Sequence, residues 1–144
     1  MDPKDFFKTA AFLNEQKDEH YIRTSISRSY YAVHLYISHF ISNTFLGRKK
    51  FKNAPHMNVI HCLQRCDAKD IKSIGVMLLT LLQARTDADY KMSKTITPNK
   101  SQDIYDDAND LLSDFDSKVN IPANMRKFSQ SSVQQAKFER ILES

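Results

Sequence analysis

The stretch SRSYYAVHLYISHF, from Ser27 to Phe40, decides the fold, because its apolar and aromatic residues are spaced for one face of a helix. The spacing of three and four residues extends to its N-terminal side, giving the series Ile22, Ile26, Tyr30, Val33, Ile37 and Phe40. The pattern predicts a helix from about Tyr21 to Leu46. Arg28 and His34 lie beside this apolar face, and their presence there needs an explanation.

Similar patterns predict the other helices. A side chain that can cap a helix, followed by proline, signals a helix start, and such pairs occur at Asp2-Pro3 and Thr97-Pro98. Together with the apolar periodicity, these signals predict helices over 3–17, 57–66 and 69–93, and another from 98 past 115. The segment 119–132 is interpreted as a loop, followed by a short last helix over 132–143.

These elements predict the fold class. No segment of the sequence alternates convincingly between apolar and polar residues, as a half-buried β-strand does. We therefore expect an all-α protein, an up-and-down bundle of about five helices. It is expected to form one domain over 1–144, with a core at about 3–119 and a C-terminal loop and short helix over 120–144.

The composition excludes several classes of protein. The chain has 144 residues, of which 41% are hydrophobic and 26% are charged, as in a globular domain. It has no apolar run near the roughly 18 residues of a membrane span, and its N-terminal stretch lacks the pattern of a secretory signal. Its two glycines are too few for most phosphate-binding loops. We expect a cytoplasmic protein without membrane attachment or cofactor.

Charge is distributed unevenly along the chain. Residues 101–119 contain six aspartates and one lysine, so the remaining residues have a charge of +9 although the whole chain has +4. The best candidate for holding phosphates is a basic loop after the long second helix, formed by Arg48, Lys49, Lys50 and Lys52. A basic body with one acidic helix suits a polyanionic partner such as RNA, although a solvated surface loop is the ordinary alternative.

Arg28 and His34 are the candidate catalytic residues. On a helix they lie roughly 9 Å apart along the axis and about 120° apart around it, with Tyr31 between them. Histidine moves protons near neutral pH, and arginine stabilises charge on phosphate oxygens, so the pair suits RNA cleavage without a metal. The alternative is structural, with both residues at the solvated edge of the helix or in a hydrogen-bonded pair.

Two further residue sets have a structural alternative. Arg85 precedes Asp89 by four residues, which permits an ion pair within the helix, and Arg85 is either a structural clamp or an RNA contact. The metal-ligand types in the third helix region are His56, His61, Cys62 and Cys66. Cysteines on helices are commonly core residues, so we predict no metal site.

The sequence resembles the HEPN superfamily, small helical domains common in prokaryotic defence and toxin–antitoxin systems. SRSYYAVHLYISHF is similar to the family signature, an arginine followed by four to six residues and a histidine, and His34-Leu35-Tyr36 fits a toxin extension of it. A second stretch, LLQARTDADYK, resembles the R…ADY phrase of a later family helix, with Arg85, Asp89 and Tyr90 in place. His56 also lies where a family histidine often occurs.

The resemblance implies a homodimer with Arg28 and His34 in the interfacial cleft. It implies a metal-independent endoribonuclease that acts as a toxin or defence effector, with an antitoxin or a nucleotidyltransferase as its partner. Tyr31 would then support the site, and Tyr36 would be either a residue that the transferase modifies or a buried or interfacial packing residue. The alternative is a non-catalytic HEPN-like module that binds nucleic acid, nucleotide or a partner protein.

Overall fold

The computed structural model of the chain describes residues 1–141, which form six helices and contain no β-strand. The predicted all-α class is therefore confirmed. The helices are α1 (Asp5–Glu15), α2 (Glu19–Phe45), α3 (Pro55–Gln64), α4 (Lys69–Tyr90), α5 (Pro98–Val119) and α6 (Pro122–Phe138). No helix within the described residues is both long enough and apolar enough to span a membrane.

Both capping signals make hydrogen bonds. The Asp2 carboxylate accepts a bond from the backbone N–H of Lys4 at 2.9 Å, just before α1. The Thr97 hydroxyl accepts one from the backbone N–H of Lys100 at 3.2 Å, and α5 begins at Pro98 as predicted. The Thr97 bond satisfies a backbone donor that the first turn of α5 otherwise leaves without a partner, whereas the Asp2 bond lies in the turn before α1.

The loop predicted over 119–132 is wrong, because α6 begins at Pro122. Proline at the first position starts this helix instead of interrupting it. The buried face of α6 is partly polar: the Ser131 hydroxyl donates to the Cys62 carbonyl at 2.7 Å, and the Gln135 amide donates to Asn58 at 2.8 Å. The last residues of the predicted 132–143 helix lie outside the described part of the chain.

The chain divides into two compact units. Unit 1 contains Met1–Tyr36 and Leu78–Leu112. A buried arginine joins two of its helices: Arg23 of α2 donates to the carbonyl oxygens of Asp87, Ala88 and Lys91 at 3.3, 2.9 and 3.3 Å. Since these carbonyls belong to the last turn of α4 and the residue after it, Arg23 caps α4 and fixes it against α2.

Unit 2 contains Ile37–Met77 and the described residues from Ser113 onward. Its core includes an aromatic cluster whose ring centroids lie 5.3–6.2 Å apart, formed by Phe40, Phe45, Phe115 and Phe128. In the same unit α4 packs closely on the end of α3 at Gly75. A Cβ atom at this position would lie 2.8 Å from Gln64 Cγ and 2.9 Å from Leu63 Cβ.

We predict that Gly75→Ala destabilises the protein. Overpacking costs about 1–3 kcal/mol and the gain in helix propensity offsets about 1 kcal/mol of it, so a net loss of roughly 1 kcal/mol is expected in urea unfolding. The matched control is Ser73→Ala, an exposed residue of the same helix, which should change stability by no more than about 0.5 kcal/mol. A Gly75→Ala protein as stable as the wild type would contradict the close packing.

Candidate functional site

The candidate site of unit 1 is built around the ring of Tyr31, a half-buried residue in the middle of α2. The guanidinium carbons of Arg28 and Arg85 lie 5.4 and 5.3 Å from the centroid of this ring. The ring of His34 lies 6.2 Å away, edge to face. Helical spacing predicts Tyr31 between Arg28 and His34, and its ring contacts both. We call these residues, with Asp89, the Tyr31 cluster.

Arg28 is a positive charge without a carboxylate partner among residues 1–141. Its guanidinium carbon lies 5.2 Å from the centroid of Phe6 in α1, so it contacts two aromatic rings. Its one hydrogen bond within the described residues is a long one, 3.5 Å to the Ser27 hydroxyl, and its buried Nε has no acceptor there. Cation–π contacts hold a guanidinium without neutralising it, so Arg28 keeps donors for an anionic ligand.

Arg85 differs from Arg28 because it has a carboxylate partner. Its Nε lies 2.8 Å from Asp89 Oδ2, and both side chains are largely buried, with 15% and 26% exposed. Although burial by itself lowers the pKa of Arg85, the neighbouring Tyr31 and Asp89 outweigh burial and raise that pKa. Asp89 Oδ2 also accepts a hydrogen bond from Ser27 at 3.3 Å, which links α4 to α2.

The Tyr31 cluster therefore has more positive than negative charge. Two guanidiniums contact one ring, and only Asp89 among these neighbours is a carboxylate that pairs with either. Two like charges that contact one ring repel each other unless an anion or solvent compensates them. The cluster has the charge and the donors to bind an oxyanion such as a phosphate group.

His34 lies inside the helix packing, with 4% of its surface exposed. This corrects the interpretation of His34 as a solvated residue at the helix edge. Its ring stacks on that of Tyr30, four residues earlier, with centroids 5.6 Å apart and planes 12° apart. Residues four apart share a helix face, so His34 is buried on the same side of α2 as the core residue Tyr30. Burial also raises the pKa of Tyr30 far above its usual value, so its hydroxyl stays neutral.

Tyr36 is the other tyrosine predicted to belong to the site. It is half-buried near the end of the unit 1 part of α2, and Lys4 Nζ lies 5.0 Å from the centroid of its ring. The ammonium group of Lys4 therefore contacts one face of the Tyr36 ring.

The basic loop belongs to unit 2, and its backbone is held at both ends. The Ser42 hydroxyl donates to the Lys49 carbonyl at 2.7 Å. The Glu139 carboxylate accepts bonds from the backbone N–H groups of Lys52 and Asn53 at 3.2 and 2.7 Å. The charged side chains of Arg48, Lys49, Lys50 and Lys52 are exposed. A fixed backbone with exposed cations presents a stable positive surface.

The histidines and cysteines in and just after α3 do not form a metal centre: His56, His61, Cys62 and Cys66. Cys62 and Cys66 are buried free thiols, and burial raises the pKa of Cys62 to about 12, which disfavours the thiolate that binds metals. Within residues 1–141, no three histidine, cysteine, aspartate or glutamate side chains lie close enough together to hold a metal ion.

Sequence reasoning missed Phe6 and Ser27 as neighbours of Arg28. Phe6 comes from α1, and no spacing within α2 relates it to the site. Ser27 lies in the opening motif, yet its role in connecting Arg28 to Asp89 depends on the packing of α4.

Comparisons with known proteins give no relative for this chain. No protein-family model, no curated protein and no solved structure matches it.

We predict that Asp89→Asn destabilises unit 1, because it removes the charge that pairs with Arg85 while keeping the size of the side chain. Removing one charge of a partly buried ion pair leaves the other uncompensated, so a loss of about 1–2 kcal/mol is expected in urea unfolding. The matched control is Asp103→Asn on the exposed face of α5, expected to change stability by no more than about 0.5 kcal/mol. Equal effects of the two substitutions would argue against an energetically important Arg85–Asp89 pair.

Proposed function

We propose that the chain is a metal-independent endoribonuclease of the HEPN type that acts as a toxin or defence effector. The observation that supports this most is the contact of Arg28, His34 and Arg85 with one ring, that of Tyr31. The sequence motifs single out these three residues, and the fold brings them to one ring although Arg85 belongs to α4 and the other two to α2. The proposal includes the up-and-down bundle and the homodimer that the HEPN resemblance implies.

The proposed reaction is an internal transfer within RNA. The 2′-oxygen attacks phosphorus and loses its proton, the bond from phosphorus to the 5′-oxygen breaks, and that oxygen gains a proton. The products are a 2′,3′-cyclic phosphate and a 5′-hydroxyl, with no other reactant. His34 moves a proton at one of these oxygens, and the unpaired donors of Arg28 stabilise the charge on the phosphorus-bound oxygens.

The homodimer supplies what one chain lacks. The reaction needs both an acid and a base, whereas the Tyr31 cluster contains one histidine. In a two-fold interface a second copy contributes its own Arg28 and His34 to the same cleft, so one histidine accepts a proton while the other donates one. The basic loop attracts the RNA, and Arg85 orients Tyr31 and contacts the substrate.

A second function is favoured by the small exposure of His34, which is 4%. A histidine so buried stacks against Tyr30 and reaches a substrate only if the surrounding side chains move. In the alternative, the chain is a non-catalytic HEPN-like module that binds nucleic acid, nucleotide or a partner protein. Arg28 and Arg85 then hold an anionic group of the ligand, and His34 is a packing residue.

We expect the wild type to cleave a mixed RNA pool in the presence of EDTA and to leave 2′,3′-cyclic phosphate ends. His34→Gln keeps most of the buried volume and removes proton transfer near neutral pH, so cleavage should fall by at least about 100-fold. Arg28→Lys keeps the charge and loses the planar fork of donors, and should also reduce cleavage strongly. His39→Gln is the matched control, because His39 is an exposed histidine of the same helix.

The pattern across these variants separates the two functions. Equal cleavage by wild type and His34→Gln, with both proteins folded by circular dichroism, contradicts a catalytic role for His34. If the folded wild type does not cut RNA but binds it in a salt-dependent way, the binding module replaces the nuclease.

We predict a dimer in solution at micromolar concentration, measured by sedimentation velocity. Arg28 belongs to the proposed interface, so Arg28→Glu should weaken the dimer, because the negative faces of the Phe6 and Tyr31 rings that hold the guanidinium would repel a carboxylate. Lys72→Glu, an exposed residue of α4 with the same charge change, is the control. A monomeric wild type would exclude the two-copy site.

A further inference from the structure

At the end of α6, the packing of residues 1–141 leaves an aromatic ring largely exposed. Phe138 is 78% exposed, yet it is not free, because the Arg65 guanidinium carbon lies 5.9 Å from the centroid of its ring. Arg65 is in turn held by Gln135, whose amide oxygen accepts a bond from Nη1 at 2.6 Å. The ring is therefore supported on one side by a positioned cation.

Arg65, which contacts this ring, also lines a polar cavity of about 280 Å³ together with Ser131, Gln134 and Gln135. The Ser131 hydroxyl and the Gln135 amide already have partners within unit 2. Arg65 makes no ion pair with the described residues, so it retains a positive charge at the cavity. A cavity with these groups suits the edge of a polar ring or a phosphate better than an apolar side chain.

The basic loop is attached to the same end of α6. Glu139, the residue after Phe138, accepts the backbone N–H bonds of Lys52 and Asn53 at 3.2 and 2.7 Å. The Glu139 carboxylate is thus occupied by backbone donors. The surface combines one exposed ring with five cations, and we call it the stacking surface: Phe138, Arg65, Arg48, Lys49, Lys50 and Lys52.

We propose that the stacking surface binds single-stranded RNA, with a base stacked on Phe138 and the phosphates held by the basic loop and Arg65. The proposal deepens the RNA function proposed above and rests on it for the substrate class. Aromatic rings among cations are the usual means of binding single strands, because every base has a face to stack and every linkage has a negative charge.

A protein partner is a poorer fit to the stacking surface. The cores of protein interfaces are depleted in lysine, whereas lysines supply three of its five cations. One isolated phenylalanine is also a small apolar area for a protein interface.

The test measures the binding of two labelled oligomers by fluorescence anisotropy, using the full chain with His34→Gln so that the RNA is not cut. One oligomer is oligouridine, and the other is an abasic strand with the same number of phosphates. Phe138→Ala should weaken oligouridine binding by about 5-fold or more, since stacking contributes about 1–3 kcal/mol per base, and should leave abasic binding unchanged.

Three further variants make the result specific. Phe138→Leu keeps much of the apolar surface but not the ring, and should behave like Phe138→Ala. The matched control Phe12→Ala removes another exposed ring, from α1, where 61% of the residue is exposed, and should change neither affinity. The double variant Lys50→Ser, Lys52→Ser should weaken the binding of both oligomers and reduce its salt dependence.

The outcomes distinguish this surface from the proposed catalysis. Three results would overturn the stacking surface. Phe138→Ala could bind oligouridine as tightly as the parent protein, it could lose equal affinity for both oligomers, or the parent protein could bind neither oligomer. Loss of the dimer in Phe138→Ala without a base-dependent loss of RNA binding assigns the ring to a protein interface instead. If base-dependent binding is found but the wild type does not cleave RNA, the stacking surface stands and the nuclease function fails.

Discussion

The buried guanidinium of Arg23 is the interaction on which the candidate site depends. It donates to carbonyls at the end of α4 and after it, and it pairs with Glu19 at 3.0 Å. The C-terminal carbonyls of a helix have a partial negative charge, so they compensate a cation that is only 8% exposed. Because this contact fixes the last turns of α4 against α2, Arg85 lies beside Tyr31 without being its neighbour in sequence.

The sequence predicts those parts of the fold that depend on local patterns. Apolar periodicity locates α2, and the Thr97-Pro98 pair locates the start of α5, because each signal acts within a few residues. The first half of α6 is missed, although its later residues fall in the predicted 132–143 helix, because its buried face contains serines and a glutamine, which become favourable only when Cys62 and Asn58 supply partners. Polar burial of this kind depends on tertiary contacts and leaves no periodic signal.

In the candidate site too, the features set by local spacing are predicted and those set by tertiary packing are missed. Spacing along α2 predicts Tyr31 between Arg28 and His34, and the four-residue spacing predicts the Arg85–Asp89 pair. The burial of His34 is missed because spacing places this residue beside the apolar face of α2, whereas its ring stacks on that of the buried Tyr30 one turn earlier. The contact of Phe6 with Arg28 depends on where α1 packs, which no pattern within α2 determines.

Uncompensated charge is the property that the two proposed surfaces share, although they lie in different units. In the Tyr31 cluster, the charge of Arg28 is not neutralised, because its guanidinium contacts the rings of Phe6 and Tyr31 and, within residues 1–141, not a carboxylate. In the stacking surface, Glu139 is occupied by backbone donors, so it does not pair with the lysines of the loop. Repulsion among the remaining cations costs folding energy in each place, and binding an anion relieves it. An anionic ligand should therefore stabilise the folded chain by mass action, in proportion to its preference for the folded state.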